Sequence, residues 1–393
     1  MLLVESHIIN ESQELNDLTF KCKNLYNKAN YIIRNEFINT GNYFSKFEMF
    51  TICKELEEYK ALPVRISRGV LRTLDANWQS FFSCIKKWKS NRDLFKSKPN
   101  LPNYLPKNGK FTAMFYETAI LKPKNGKIGL SSLKLRIEAQ TQNKIIEVQV
   151  VPTKTNKYKI NIIYDYKEQE LKKDNKKYCS VDLGLNNLMT ITSNEKGIQP
   201  VVVNGRPLKS INQYYNKQKS KYQSKLPKEI HSSKRIETLT FKRNCKINDY
   251  LHKSSDYLIK FCLDNKLNTL VIGYNELWKQ GINIGKRNNQ NFVQIPFYKL
   301  IEMLRYKCEK HGINFITHEE SYTSKCSFLD NEQVCKHDDY LGRRIKRGLF
   351  KSSDGRLINA DVNGSYNILK KAVPNVFSDG IEGVAVHPYR VSL

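Results

Sequence analysis

The sequence predicts an α+β multidomain chain whose second half carries an RNase H-like α/β domain. Three observations lead there. The chain has 393 residues, too many for one ordinary domain. Its apolar periodicity changes from helical to alternating near residue 111, and changes again after a charged stretch at 165–177. Beyond that stretch the candidate elements run three strands, helix, strand, helix, strand, helix, which is the order of an RNase H-like fold.

Taken in order, residues 1–11 read as a strand. From 14 to 37, Leu15, Leu18, Leu25, Ile32 and Ile33 recur at helical spacing. Helices follow at 46–59 and 63–90. The second carries Val70, Leu71, Leu74, Trp78, Phe81, Phe82 and Ile85, and aromatics at that spacing read as core rather than as a base-stacking platform. Pro99, Pro102 and Pro106 exclude a helix from 96–106, which becomes an extended connector. Strands are expected at 111–116, 133–137, 145–151 and 158–164, separated by Lys/Asn/Gly turns.

After the charged linker, 178–183 reads as a buried strand, with 188–192 and 200–203 as antiparallel neighbours. Basic residues dominate 206–260. Within it, Ile236, Leu239, Ile247, Leu251 and Leu258 mark a long amphipathic helix. Its polar face carries Lys234, Arg235, Lys242, Arg243, Lys246 and Lys253, expected to face a duplex. A strand at 269–272, a helix at 297–311, a strand at 313–317 and a helix at 361–371 complete the order.

Composition narrows the function. Lys and Arg number 66 against 38 Asp and Glu, a net charge of +28. The basic residues interleave with Tyr, Asn and Gln, as on a nucleic-acid-binding surface. A merely solvated lysine-rich face is the alternative, and so large an excess argues against it. The 40% hydrophobic content supports real cores. No apolar run reaches about 18 residues, so no membrane span is expected. The N-terminus lacks a basic region and cleavage site, so a secretory signal is not expected. The nine cysteines are odd in number, and Cys22, Cys53, Cys84, Cys262 and Cys308 lie among apolar neighbours. They read as reduced core residues of a cytoplasmic protein.

Three short stretches each carry an acid beside a strand or helix end: Asp182 within 180–185, Glu320 within 319–324 and Asp361 within 359–364. Carboxylates gathered by a fold can hold the two divalent ions that phosphodiester hydrolysis uses. All-oxygen ligands select magnesium or manganese. Asp361 alone could be a helix cap or dipole partner, but with the other two the metal reading is preferred. No Ser/His/Asp or Cys/His nucleophile pattern competes. The chain therefore reads as a nuclease.

These residues resemble the TnpB family, the OrfB proteins of insertion sequences, related to miniature type V CRISPR effectors. The resemblance spans nearly the whole chain. It rests on the Trp78–Phe82 helix, the Pro99-Asn100-Leu101-Pro102-Asn103-Tyr104 connector, 204–210, His252-Lys253-Ser254, 272–275, Trp278-Lys279-Gln280, 288–296, 322–327 and 359–368. It implies an RNA-guided DNA endonuclease of transposon origin, cutting beside a short target-adjacent motif. Residues 1–172 would form a wedge β-barrel with a helical recognition insert at about 12–105. Residues 173–393 would form a RuvC-like nuclease with a degenerate zinc-ribbon-like insert at about 322–358. Its partners would be a guide RNA from the element end and double-stranded target DNA, with no membrane. The protein is expected to be a monomer, associated with a prokaryotic nucleoid.

Two departures from the family pattern matter. The family's second acid ends the fourth strand, where this chain has Gly273; Glu276 lies past the strand. Glu320 is taken as its replacement, with Glu319 as the fallback, because alternation puts the two on opposite faces. The family also places paired cysteines before the last acid. This chain has only Cys326, Cys335 and His337, short of the four ligands tetrahedral zinc wants, so no zinc is expected. Contacts to nucleic acid are expected from Lys209, Lys279, Arg343, Arg344, Lys346 and Arg347 as well as the long helix. A nuclease-inactive RNA-guided repressor is the alternative, suggested by Gly273. A strand-joining transposase lacks a tyrosine nucleophile in a His-hydrophobe-His setting.

Overall fold

The computed structural model describes residues 1–124, 126–275, 285–378, 380–381 and 383–393, with the backbone alone for 286–288. Lys279 and Glu276 lie outside the described residues. The chain divides into two compact units, Met1–Lys167 and Glu168–Leu393.

In the first unit, β1 (Leu2–Asn10) leads into α1 (Gln13–Thr40), α2 (Lys46–Ile52), α3 (Glu57–Lys60) and α4 (Val64–Ser90). The helix expected over 46–59 is two helices. Ser45 and Glu48 form a capping box that starts α2, and the chain turns at the buried Cys53 before α3. Trp78 on α4 is fully buried, its Nε1 donating to Asn30 Oδ1 at 3.1 Å. Phe37, Tyr43, Phe81 and Phe82 pack around it, so these aromatics are core.

The strands that follow are β2 (Ala113–Tyr116), β3 (Ile120–Lys124), β4 (Lys127–Leu130), β5 (Arg136–Glu138), β6 (Ile145–Pro152) and β7 (Lys157–Asp165). They form a four-stranded sheet in the order β1-β7-β6-β2 and a separate three-stranded sheet, β3-β4-β5. No closed barrel is found among the described residues. The β3–β4 hairpin escaped sequence reading because β3, Ile-Leu-Lys-Pro-Lys, is largely exposed and interrupted by Pro123.

The second unit begins with β8 (Tyr178–Leu183), β9 (Asn187–Ser193), β10 (Val201–Asn204), α5 (Arg206–Gln223), α6 (Lys234–Asp264) and β11 (Thr269–Gly273). It continues with α7 (Lys286–Gln294), α8 (Phe297–Lys310), β12 (Asn314–His318), β13 (Arg343–Lys346), β14 (Leu349–Lys351), β15 (Leu357–Asn359), α9 (Ala360–Ala372) and β16 (Tyr389–Val391). Six strands order as β12-β11-β8-β9-β10-β16. The β8–β9 and β9–β10 pairs are antiparallel, while β11 runs parallel to β8 and β12 parallel to β11.

Alternation along β8 sends Cys179, Val181 and Leu183 into the core shared with α6 and α8. Ser180 and Asp182 take the opposite face, under α9, where Ser180 Oγ donates to Ser365 O at 2.8 Å. On β11, Val271 packs against Ile368 and Leu369 of α9, which places Gly273 on that same face. The sheet β13-β14-β15 leads directly into α9. No helix among the described residues is long and apolar enough to cross a membrane.

Candidate carboxylate site

The site is built where β8, β11 and β12 end beneath the start of α9. Asp182 is the penultimate residue of β8, opposite Thr190 of β9. Gly364, one turn into α9, lets it approach: a Cβ there would lie 3.0 Å from Asp182 Oδ2. A buried hydroxyl network holds helix and strands together. Ser180 Oγ lies 2.7 Å from Thr192 Oγ1, which lies 2.9 Å from Ser365 Oγ.

Glu320 follows β12 by two residues. A Cβ at Gly273 would meet Ile368 Cδ1 at 2.4 Å and Glu320 Oε2 at 2.8 Å. The space a side chain at 273 needs is thus taken by a leucine-sized apolar group and by the carboxylate of Glu320. Asn275 fixes that carboxylate: its Oδ1 accepts from Glu320 N at 3.1 Å and its Nδ2 donates to Glu320 Oε1 at 3.4 Å. Glu319 points elsewhere. It pairs with Lys371 Nζ at 2.5 Å and accepts from Ser321, on a half-exposed side chain.

Asp361 lies in the first turn of α9, but it is not the cap. Asn359 Oδ1 accepts from the backbone N–H groups of Asp361 at 3.0 Å and Val362 at 3.2 Å. The Asp361 carboxylate accepts from Asn187 Nδ2 at 2.6 Å and from Arg344 Nη2 at 3.3 Å.

Electrostatics separate the acids. Burial pushes the Asp182 carboxyl well above the usual range; the charges of Glu320 and then Asp361 add to this, and Arg344 opposes it. Among the described residues no donor is hydrogen-bonded to that carboxylate. Burial, then the charge of Glu319, pushes Glu320 up to about 7, against the pull of Lys371. Lys371 holds Glu319 below its ordinary value.

This donor set fits a hard divalent cation. It is all oxygen, and a cation is the partner that would relieve two crowded, desolvated carboxyls. It is not a closed cage: among the described residues no three His, Cys, Asp or Glu side chains converge tightly enough to hold one ion.

The other expected residues fall in several places. Lys234, Arg235 and Lys242 are exposed on α6. Arg243 is turned inward, its Nε donating to Asn212 Oδ1 at 2.8 Å and its Nη2 to Gln294 O at 2.9 Å. Lys209 donates to Asn186 Oδ1 at 2.8 Å, and Lys253 pairs with Asp249 at 2.9 Å. Arg343, Arg344 and Lys346 line the exposed strand β13, with Arg347 in the turn after it.

Sequence reading missed Asn187, Asn275 and Gly364, which position the acids. It also missed Glu332, which is 6% exposed and accepts from Ser327 N at 2.6 Å and Leu341 N at 3.1 Å. That buried carboxylate ties together the segment holding Cys326, Cys335 and His337, where Cys335 Sγ lies 3.4 Å from His337 Nε2. Asn363 and Asn367 of α9 fasten the same segment by donating to Cys326 O at 2.9 and 2.8 Å.

Residues 161–279 match the family model OrfB_IS605, a probable transposase, and residues 297–368 match the Cas12f1-like TNB domain. A TnpB-like protein, ORF457 of Acidianus two-tailed virus, is 24% identical, covering 93% of this chain and 84% of its own. Among solved structures, a mini RNA-guided endonuclease, CRISPR-Cas_phi3, aligns with a TM-score of 0.51 at 10% identity, over 99% of this chain and 94% of its own. Cas12f1, in complex with its guide RNA and target DNA, aligns at 0.41 and 14% identity, over 94% of this chain and all of its own. The two family matches, consecutive along the second half, and the near-full-length viral relative support a TnpB-family protein.

Proposed function

We propose that this protein is an RNA-guided DNA endonuclease that hydrolyses phosphodiesters beside a short target-adjacent motif, with Asp182, Glu320 and Asp361 as its carboxylates. The observation that carries the reading is the contact at Gly273. The acid absent from the end of β11 is replaced in space by Glu320, reaching from beyond β12. The family's RNA-guided relatives and the net charge of +28 support the nucleic-acid side of the reading. The partners are a guide RNA from the element end and a target duplex. The wedge-like role of the first unit and the nuclease role of the second belong to the same proposal.

Asp182, Glu320 and Asp361 are the residues that would hold magnesium or manganese. The chemistry supplied by such ions would be Lewis-acid polarisation and a water activated at neutral pH. The protein's own part is positioning. Asn275 orients Glu320, Asn187 orients Asp361, and the Ser180–Thr192–Ser365 network fixes α9 over β8. Arg344, beside Asp361, offers a cation to a scissile strand entering from the β13 side.

A second reading, a nuclease-inactive RNA-guided repressor, is favoured by Gly273 itself and by the open spacing of the carboxylates. One experiment separates the two. The protein is co-expressed with its flanking element-end RNA and assayed with magnesium on a plasmid library randomised beside a guide-matched target. Cutting next to one enriched motif supports the nuclease. Motif-specific binding without cutting assigns the repressor.

A further inference from the structure

An open groove of about 880 Å³ runs between α5 and α6, away from the carboxylates. Its size lies within the roughly 300–1,000 Å³ range of ligand sites. Three tyrosines line it: Tyr214, Tyr215 and Tyr222. Among the described residues its charged lining is wholly basic, contributed by Lys234, Arg235, Lys242, Arg243 and Lys246, with no carboxylate. Tyr214 is 63% exposed, far more than a ring of that size needs for packing. The guanidinium of Arg235 lies 5.2 Å from the Tyr222 ring centre, and that of Arg243 lies 5.6 Å from the Tyr215 ring centre.

Arg243 is held by Asn212 and Gln294, and Tyr215 lies 3.1 Å from Thr240 through its hydroxyl. The inner wall is therefore fixed, while Tyr214, Lys234, Lys242 and Lys246 are exposed at the rim.

We infer that this groove binds an unpaired stretch of RNA, its bases stacked on Tyr214 and Tyr222 and its phosphates facing the α6 cations. A duplex offers its backbone to such a surface but hides its base faces, leaving the exposed Tyr214 ring with nothing to stack on. An unpaired strand uses both features at once, since every base has a π-face and every phosphate a charge. Ser210 and Thr238 add hydroxyls to the lining that can meet a ribose 2′-OH. The choice of RNA over DNA rests on the guide-holding role proposed above. The inference reassigns this part of α6 from a duplex-facing surface to a single-strand site.

The test uses the full-length protein and four probes: a labelled single-stranded RNA of about 15 nucleotides, long enough for sites of this kind, the same sequence as DNA, the DNA duplex, and poly-glutamate as a competitor. Affinity is read by anisotropy for wild type, for the double variant Tyr214→Ala/Tyr222→Ala, and for Tyr214→Phe/Tyr222→Phe. Circular dichroism and thermal unfolding verify the fold. The alanine pair is expected to lose about tenfold or more on single-stranded RNA and nothing on duplex. The phenylalanine pair is expected to bind as wild type. Lys234→Gln/Lys242→Gln should reduce the salt slope by about 0.7 per charge removed.

Unchanged RNA affinity in the alanine pair overturns the site, and an equal loss on duplex does the same. Equal, tyrosine-dependent binding of single-stranded DNA overturns the choice of RNA. Tyrosine-dependent displacement by poly-glutamate assigns the groove to an acidic protein instead. The binding assay is independent of cutting, so failure of the plasmid cleavage assay would refute the nuclease reading while tyrosine-dependent RNA binding leaves this one standing.

Discussion

The two sides of the carboxylate site are prepared differently. On the β11–β12 side, Asp182 and Glu320 are crowded and desolvated, with Glu320 pushed up to about 7 and Asp182 well above the usual range. On the α9 side, Asp361 already has a cation, Arg344 at 3.3 Å, and a donor, Asn187 at 2.6 Å. One side stores unfavourable carboxylate charge that a divalent ion would relieve; the other is neutralised by the protein itself. The crowded side is also the one proposed to be rearranged, where the Glu320 carboxylate stands beside Gly273 at the end of β11.

Removing either side's charge should produce the largest effect. Asp182→Ala and Asp361→Ala are each expected to lower guided cleavage by about a thousandfold or more, leaving target binding by gel shift intact. Full cleavage in either variant would remove that residue from the site.

The crowding at Gly273 comes next. Gly273→Ala pushes a methyl into Ile368 Cδ1 and Glu320 Oε2, and overpacking of this kind costs about 1–3 kcal/mol. Chemical denaturation should show that loss, and Ile368→Val should recover part of it. A neutral Gly273→Ala would mean that Ile368 and Glu320 yield to the added methyl and that the two sides are only loosely joined through α9.

A smaller effect concerns pH. The folded state raises the pKa of Asp182 and Glu320, so it holds protons that the unfolded chain releases. Metal-free stability from this source is therefore greatest below the unfolded value of 4.5 for Glu320 and is lost as pH rises through about 7. That shift corresponds to at most about 3 kcal/mol. Thermal unfolding without metal should thus show Asp182→Asn more stable than wild type at pH 8, with the gap closing toward pH 4. Magnesium should stabilise wild type more at pH 8 than at pH 5. The same gap at both pH values would contradict the raised carboxyls. The smallest change is expected at Lys253→Ala, whose exposed pair with Asp249 is worth about 1 kcal/mol or less.

Much of this was legible in the sequence for physical reasons. The buried strand β11 is an apolar run, β8 alternates apolar residues with Ser180 and Asp182, and α6 repeats its apolar residues along its length, so their order could be read directly. Asp182 and Asp361 stood beside such elements. Short or exposed pieces were not legible: β3 carries a proline, β16 has three residues, and α5 is polar on most of its surface. Nor was the packing. Asn275, Asn187 and Gly364 act through contacts between residues far apart in the chain, which no local pattern records. Glu332 looked like one surface acid among many, and only burial beside Ser327 and Leu341 distinguishes it.

The most direct measurement is guided cleavage by Glu320→Gln beside Glu319→Gln, each purified with the same RNA and matched for target binding. The rearranged site predicts that Glu320→Gln binds but does not cut, while Glu319→Gln, which loses only a surface pair with Lys371, cuts at close to the wild-type rate. Wild-type cutting by Glu320→Gln would contradict it and place the second acid elsewhere.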